Sequence, residues 1–265
     1  MGTNNLFVSG FFSKDLVDQQ INDINQFCIN NYGKSETQLI YFKGALNHFS
    51  RRIEYPYIYY NIAKFIIENK KNYKDSNFKI LDNASGQPGF SYFLANNGMH
   101  IQGADINAIF SQDWKDANES VIGSLSFKVS DALNLPFKNE KFDISFCLSS
   151  IEQINDPLKA VEEMIRVTKR NGLIVFTMDV TNKKNNLEDF YVNKENFKNL
   201  QNLLADKCSY FAPPTFSVPS NVINWEEQAV GNRNFLRKFI SKEYNKLMNI
   251  EHPNFYIFGS SWIKK

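Results

Sequence analysis

The sequence predicts an α/β fold: a doubly wound, mostly parallel sheet with helices on both faces. Three observations carry that prediction. Between residues 78 and 180 short apolar runs alternate with stretches of helical periodicity, the pattern of strand-helix-strand units around a parallel sheet. The first of these runs leads through a turn of small residues, Ala84-Ser85-Gly86-Gln87-Pro88-Gly89, into a helix, which is where such a sheet presents a ligand site. A terminal aromatic run, 255–263, suits a last strand that returns to the sheet antiparallel at one edge.

Taken in order, Ser13 can cap an amphipathic helix carrying Val17, Ile21, Ile24 and Cys28, and Pro56 opens a second with Ile58, Ile62, Phe65 and Ile66. The strands of the core read as 79–82, 100–105, 125–129, 142–148 and 173–178. Before the fifth strand lies the best-marked helix: Asp156 can cap it, Pro157 suits its first position, Leu158, Val161 and Ile165 keep helical spacing, and Asn171-Gly172 is expected to end it. Beyond the core come a helix with Phe197, Leu200 and Leu204, a Pro-rich loop over 212–219, and a helix near 234–248.

Composition narrows the class. A chain of 265 residues that is 43% hydrophobic can bury one full core. Thirty Lys and Arg against 28 Asp and Glu leave a net charge of +2, so no global field draws the chain to nucleic acid or to an anionic membrane. Cys28, Cys147 and Cys208 are too scattered for a zinc site or a disulfide framework, and together with the absence of a signal-like start they predict a cytoplasmic protein. No run approaches the roughly 20 apolar residues that span a bilayer.

The small-residue turn nearly matches a dinucleotide fingerprint with Ala84 for its first Gly, so a nicotinamide enzyme and a ligand-free turn are both alternatives. Two residues favour a cationic ligand over a pyrophosphate. Asp82 brings a negative charge to the strand end, and Pro88 lacks the N–H that a phosphate cradle needs. Nineteen residues after Gly86, Asp105 ends the second strand, where a carboxylate can accept hydrogen bonds from both ribose hydroxyls.

In order and spacing, the segment 78–180 resembles the class I (Rossmann-like) methyltransferases that use S-adenosylmethionine, the small-molecule type in particular. LDNASGQPG looks like the first family motif, GADIN like its acidic ribose-binding strand end, and SDALNLPF like the loop beside the adenine. KFDISFCLSSIEQINDPLKAVEEMIRVTKRNGLIVF looks like the fourth strand through the fifth. The resemblance implies a seven-stranded sheet, residues 1–77 as a helical cover over the site, and 78–265 as the core, with insertions over about 182–250 shaping a substrate pocket. It also implies S-adenosylmethionine as cofactor and S-adenosylhomocysteine as product. Carried over by position, Asp82, Ala84 and Gly86 lie near the methionine end, Asp105 binds ribose, Ile106 and Ala132 flank the adenine, Asp131 takes its amino group, and Ser149 borders the sulfonium. Ala84 and Pro88 stand where many members have Gly, and Gln153 follows Glu152 where a His is common.

The acceptor decides whether a base is needed: a hydroxyl must lose its proton, a carboxylate need not. Glu152, His48 and Asp179 are the candidate bases, with His252 behind them, and His100 opens a strand at the opposite end of the sheet. Arg51, Arg52 and Tyr55 concentrate guanidinium and phenol groups just before the core, where they can bind an anionic acceptor or simply pair with Glu54. The expected function is methylation of an oxygen on a small polar metabolite, for instance a sugar or phosphorylated sugar of surface glycan synthesis, by a monomer or homodimer without metal, nucleic acid or membrane. The alternatives are an RNA or protein methyltransferase and a catalytically silent cofactor-binding partner protein.

Overall fold

The computed structural model describes residues 51–69, 78–181, 194–211, 216–219 and 255–265. The expected helix from Ser13 to Cys28, the helix near 234–248, and His48 and His252 lie outside them. Helix α1 (Arg51–Asn69) precedes β1 (Lys79–Asn83), α2 (Gly89–Asn96), β2 (His100–Asp105), α3 (Ser111–Asn118), β3 (Ser124–Val129), β4 (Phe142–Leu148), α4 (Pro157–Val167) and β5 (Thr168–Thr181). Then follow α5 (Lys194–Lys207), β6 (Cys208–Tyr210), β7 (Phe216–Pro219) and β8 (Phe255–Lys264).

The strands run in the order β3-β2-β1-β4-β5-β8-β6, with β7 also on β8. The pairs β3-β2, β2-β1, β1-β4 and β4-β5 are parallel, and β8 runs antiparallel to β5 from Leu173↔Ile263 to Thr181↔Phe255. Since β5 occupies one edge of β8, β6 and β7 share the other, pairing with its successive stretches Trp262 to Lys264 and Tyr256 to Gly259. Antiparallel pairing is thus confined to one edge of a parallel sheet, as the terminal aromatic run predicts.

Every residue from Phe142 to Cys147 is buried, because a central parallel strand has helices against both faces. Ile144, Phe146, Leu173 and Val175 pack with Ile58, Ile62 and Phe65 of α1, Phe90 and Leu94 of α2 and Trp114 of α3. Cys147, Ile174, Phe176 and Met178 pack against Val161 and Met164 of α4 and Leu200 and Leu204 of α5 on the other face.

Three expectations need correction. Helix α1 starts at Arg51, five residues before Pro56, so the proline does not open it. Helix α4 begins as read, with Asp156 Oδ1 accepting from the Lys159 N–H at 3.0 Å, but it ends at Val167. There Thr168 Oγ1 donates to the Met164 carbonyl at 2.6 Å, and the Thr168 N–H bonds that same carbonyl, so the last turn closes and the strand begins. Asn171, at φ 59°, sits inside β5, in the irregular stretch between the pairs Phe142↔Thr168 and Ile144↔Leu173. Asn171-Gly172 therefore marks a bulge and not a helix end. Last, the Pro-rich segment contains a strand, β7.

One close approach ties the sheet to the ligand end. A Cβ built on Gly103 of β2 would stand 2.5 Å from two carbons of the Trp114 ring, which is 1% exposed and cannot retreat. Gly103→Ala is expected to destabilise the fold by about 1–3 kcal/mol, the usual range for overpacking. Chemical denaturation checks this, and a midpoint equal to that of the wild type would contradict it.

Candidate functional site

Chain order places β2 and β3 on one side of β1 and β4 on the other, so a crevice opens at the carboxyl ends of β1 and β4, where ligands bind in doubly wound sheets. The turn after β1 is held from below by β2. The Ser85 N–H donates to the Ala104 carbonyl at 3.1 Å, and the Gly86 N–H donates to Asp105 Oδ2 at 2.8 Å. Trp114 Nε1 donates to the Gly86 carbonyl at 2.8 Å, so the turn is gripped on two sides. Asp105 Oδ1 accepts from the Asn107 N–H at 2.9 Å. A carboxylate has about four lone-pair sites, so Asp105 stays aimed by two backbone donors and can still accept two more.

Asp82 lies beneath the turn, 4% exposed, and accepts from Ser91 Oγ of α2 at 2.6 Å. Burial pushes its pKa up to about 8; the Ser91 bond pulls it down and the negative charge of Asp105 adds to the rise. A cation bound above the turn would favour the ionised form. Ile106 and Ile109, 72% and 73% exposed, offer apolar surface beside Asp105. Exposed Asp131 closes its own turn, Oδ1 accepting from the Leu133 N–H at 2.9 Å, with Ala132 half-buried next to it.

Across the crevice, Ser149 follows β4 at φ 49° and Ala84 follows β1 at φ 54°. Such backbone is strained by about 1–3 kcal/mol at a residue other than Gly and is concentrated at functional sites. The two loops are joined where Ser150 Oγ donates to the Ala84 carbonyl at 3.3 Å, and Ser149 is secured by its N–H to the Thr177 carbonyl at 3.0 Å. Ser149 Oγ donates to Glu152 Oε1 at 3.2 Å. Glu152 is 7% exposed, and its Oε2 has no hydrogen-bond partner among the described residues. Burial holds the Glu152 carboxyl well above the usual carboxylate range, and the negative charges of Asp179 and Glu54 reinforce it against the pull of Ser149 and the backbone. Residues of α1, of β5 and of the turn after β4 thus meet in one acidic region. Among the described residues no three side chains of the metal-ligating kinds are placed to hold a metal ion.

Of the anticipated residues, the structure gathers Asp82, Ala84, Gly86, Asp105, Ile106, Asp131, Ala132, Ser149, Glu152 and Asp179 at the carboxyl end of the sheet. Arg51 and Arg52 form the first turn of α1. Tyr55 is buried with its ring 4.9 Å from that of Phe90, inside the aromatic core under α1. Trp114, Ser91 and Thr177, which brace the site, escape sequence reading. Ser91 left a faint signal as a polar residue on an otherwise apolar helix.

The site fits an adenosyl cofactor on an observation of its own. Both amide atoms of Asn83, Ser85 Oγ, Ser130 Oγ and Glu152 Oε2 are buried without a hydrogen-bond partner among the described residues, all at or just past the ends of β1, β3 and β4. Buried polar atoms in folded proteins are nearly always paired, so unpaired ones gathered at one end of a sheet mark where polar partners are received.

Comparison with known proteins agrees. Residues 81–176 match the family model described as a methyltransferase domain. The chain is 30% identical over 149 residues to the chloroplastic tocopherol O-methyltransferase of Arabidopsis thaliana, covering 55% of this chain and 41% of that protein. It is 34% identical over 97 residues to the demethylmenaquinone methyltransferase of Paenarthrobacter aurescens, covering 37% of each. The chain thus spans about two fifths of the length of these curated relatives. Among solved structures, a candidate sarcosine dimethylglycine methyltransferase of Galdieria sulphuraria superposes with a TM-score of 0.59 at 14% identity, covering 92% of this chain and 98% of that one. The geranyl diphosphate C-methyltransferase of Streptomyces coelicolor, complexed with S-adenosylhomocysteine, gives 0.56 at 14% identity over 77% of this chain and 75% of that one, and both likenesses show the fold. Residues 81–176, which carry the turn after β1 and the acids of the crevice, thus match a methyltransferase domain.

Proposed function

We propose that this chain transfers a methyl group from S-adenosylmethionine to an oxygen of a small-molecule acceptor. The observation that carries the reading is the convergence of Asp105, Asp131 and Ser149 on neighbouring strand ends around a turn whose backbone is fixed by Asp105 itself. Bound there, the cofactor supplies a methyl group activated by its sulfonium. The chain supplies orientation: Asp105 holds the ribose, Ile106 and Ala132 flank the adenine, Asp131 takes its amino group, and the turn from Ala84 to Gly86 admits the methionine end above Asp82. Alignment of this kind contributes roughly 7–11 kcal/mol in favourable systems.

At the acceptor end, Glu152 is the residue we assign to remove the hydroxyl proton, because its free oxygen is buried beside Ser149. Asp179 and Glu54 raise its basicity. His48 and Asp179 remain the other candidate bases, and Arg51, Arg52 and Tyr55 the proposed acceptor contacts. The relatives are named for tocopherol, demethylmenaquinone and geranyl diphosphate. A sugar or phosphorylated sugar acceptor therefore rests on the two arginines alone.

Calorimetry with S-adenosylmethionine and S-adenosylhomocysteine, followed by a turnover screen over phenols, quinols, isoprenoid diphosphates, phosphorylated sugars and organic acids, tests the reading. Binding with release of demethylated cofactor for one acceptor class is expected. Binding without turnover on any class would favour the silent partner protein. No heat from either nucleoside on folded protein would sink the proposal.

A further inference from the structure

The segment 130–141 joins β3 to β4 without helix or strand, yet it carries Asp131 and Ala132. Its near end shapes itself, with the Asp131 carbonyl accepting from the Asn134 N–H at 3.1 Å and its side chain from Leu133. One ion pair on α4 holds the far end. Arg166 Nε donates to Glu163 Oε1 at 2.8 Å and Nη2 to Glu163 Oε2 at 2.7 Å, a bidentate pairing. The remaining donors all reach the loop: Nη2 to the Leu135 carbonyl, and Nη1 to the Phe137 carbonyl and Asn139 Oδ1, each at 2.8 Å. All five guanidinium N–H groups are thereby used.

Glu163, 6% exposed, also accepts from the Leu135 N–H at 2.9 Å, and the Arg166 carbonyl accepts from the Glu140 N–H at 3.0 Å. Leu135 is thus bonded at both backbone groups. The Arg166 bonds hold the Glu163 carboxyl below the usual carboxylate range and raise Arg166, so the pair stays charged. An ordinary helix-surface ion pair adds little to stability. This one sends its bonds to a single loop, and no other side chain has a planar fork with enough donors to do so.

We propose that Arg166 and Glu163 are positioning residues for the cofactor: by fixing the backbone of 135–140 they set where Asp131 meets the adenine amino group. The proposal rests on the adenine reading of Asp131 above. Leu135 and Phe137 are buried, Phe137 with its ring 5.0 Å from Phe142, so the loop stays attached when the pair is cut and loses only its setting.

The test measures Kd by calorimetry for S-adenosylhomocysteine and for its analogue with unsubstituted purine in place of adenine, on wild type, Arg166→Gln and Arg166→Lys. For Arg166→Gln the Kd of the adenine compound is expected to rise roughly tenfold or more, as loss of one hydrogen bond to a charged carboxylate does. The Kd of the purine compound, which lacks the amino group, changes less than about twofold. Arg166→Lys falls between, and kcat at saturating cofactor is retained. Equal losses for both compounds would make the pair a general brace and overturn the proposal, as would no loss for either. Val161→Ala, in the core contact of the same helix, supplies the control for lost stability. If Arg166→Gln does not fold, the same comparison of the two compounds is made on Arg166→Lys and Glu163→Gln, with the same outcomes for and against. A wild type that binds neither compound overturns the cofactor reading and this proposal with it, whereas binding by wild type with indifferent variants overturns the proposal alone.

Discussion

Asp105→Ala is expected to weaken S-adenosylmethionine binding by about 100-fold to 10,000-fold. The ribose contacts alone account for that figure. Hydrogen bonds to a charged group are worth about 1.5–3 kcal/mol each, so losing both ribose contacts removes about 3–6 kcal/mol, and each 1.4 kcal/mol is about tenfold in Kd. The Gly86 and Asn107 N–H groups, which now donate to the carboxylate at 2.8 and 2.9 Å, also lose their acceptor, and the turn loses its floor. Asp105→Asn keeps one acceptor oxygen but must turn its NH2 toward one of those two N–H groups, so it is expected to fall between alanine and wild type. Calorimetry decides, with melting curves to show that each variant is folded. A Kd for the alanine variant equal to that of wild type would remove Asp105 from the site.

Glu152→Gln is expected to lower kcat by about 10²–10⁴, the contribution of a positioned acid or base, while leaving cofactor affinity near wild type. The substitution keeps an oxygen to accept from Ser149 and removes only the ability to take a proton. The pH dependence sharpens the test. Glu152 acts as a base only when ionised, and its pKa is raised by burial and by Asp179 and Glu54, so wild-type kcat is expected to climb with pH along a limb lying above the ordinary carboxylate range. Glu152→Gln lacks that limb. Stability runs the other way. With its folded pKa above the unfolded one, the protonated carboxyl contributes its stability in full below the unfolded pKa, and that contribution fades as pH rises through the raised value. The Gln variant, neutral throughout, is therefore expected to be at least as stable as wild type on the alkaline side. A variant that loses stability there together with activity, or one that retains full kcat, would show that Glu152 is not the base.

Much of this site is legible in the chain because its signals are local. A strand ending in Asp82, a small-residue turn and an acid after the next strand lie within one βαβ unit, and the Asp156-Pro157 helix start is local chemistry of the backbone. Asn171-Gly172 misleads for the same reason. Asn and Gly favour positive φ in a helix cap and in a strand bulge alike, and only pairing with Phe142 and Ile144 selects the bulge. Pro56 misleads because α1 is stabilised by burying Ile58, Ile62 and Phe65 on the sheet, which carries the helix five residues past the position where the proline fits best.

What the sequence by itself determined is the kind of fold, the positions of the five core strands and the acids that end or follow two of them. Apolar periodicity and turn chemistry act over a few residues and survive without a partner. What only the tertiary structure decided is which residues far apart in the chain share a bond: Trp114 with Gly86, Ser150 with Ala84, Arg166 with the loop after Asp131, and the acids Glu54, Glu152 and Asp179 with one another. Those pairings depend on strand order and on which face each helix covers, and burial then raises the Asp82 and Glu152 carboxyls above the usual carboxylate range.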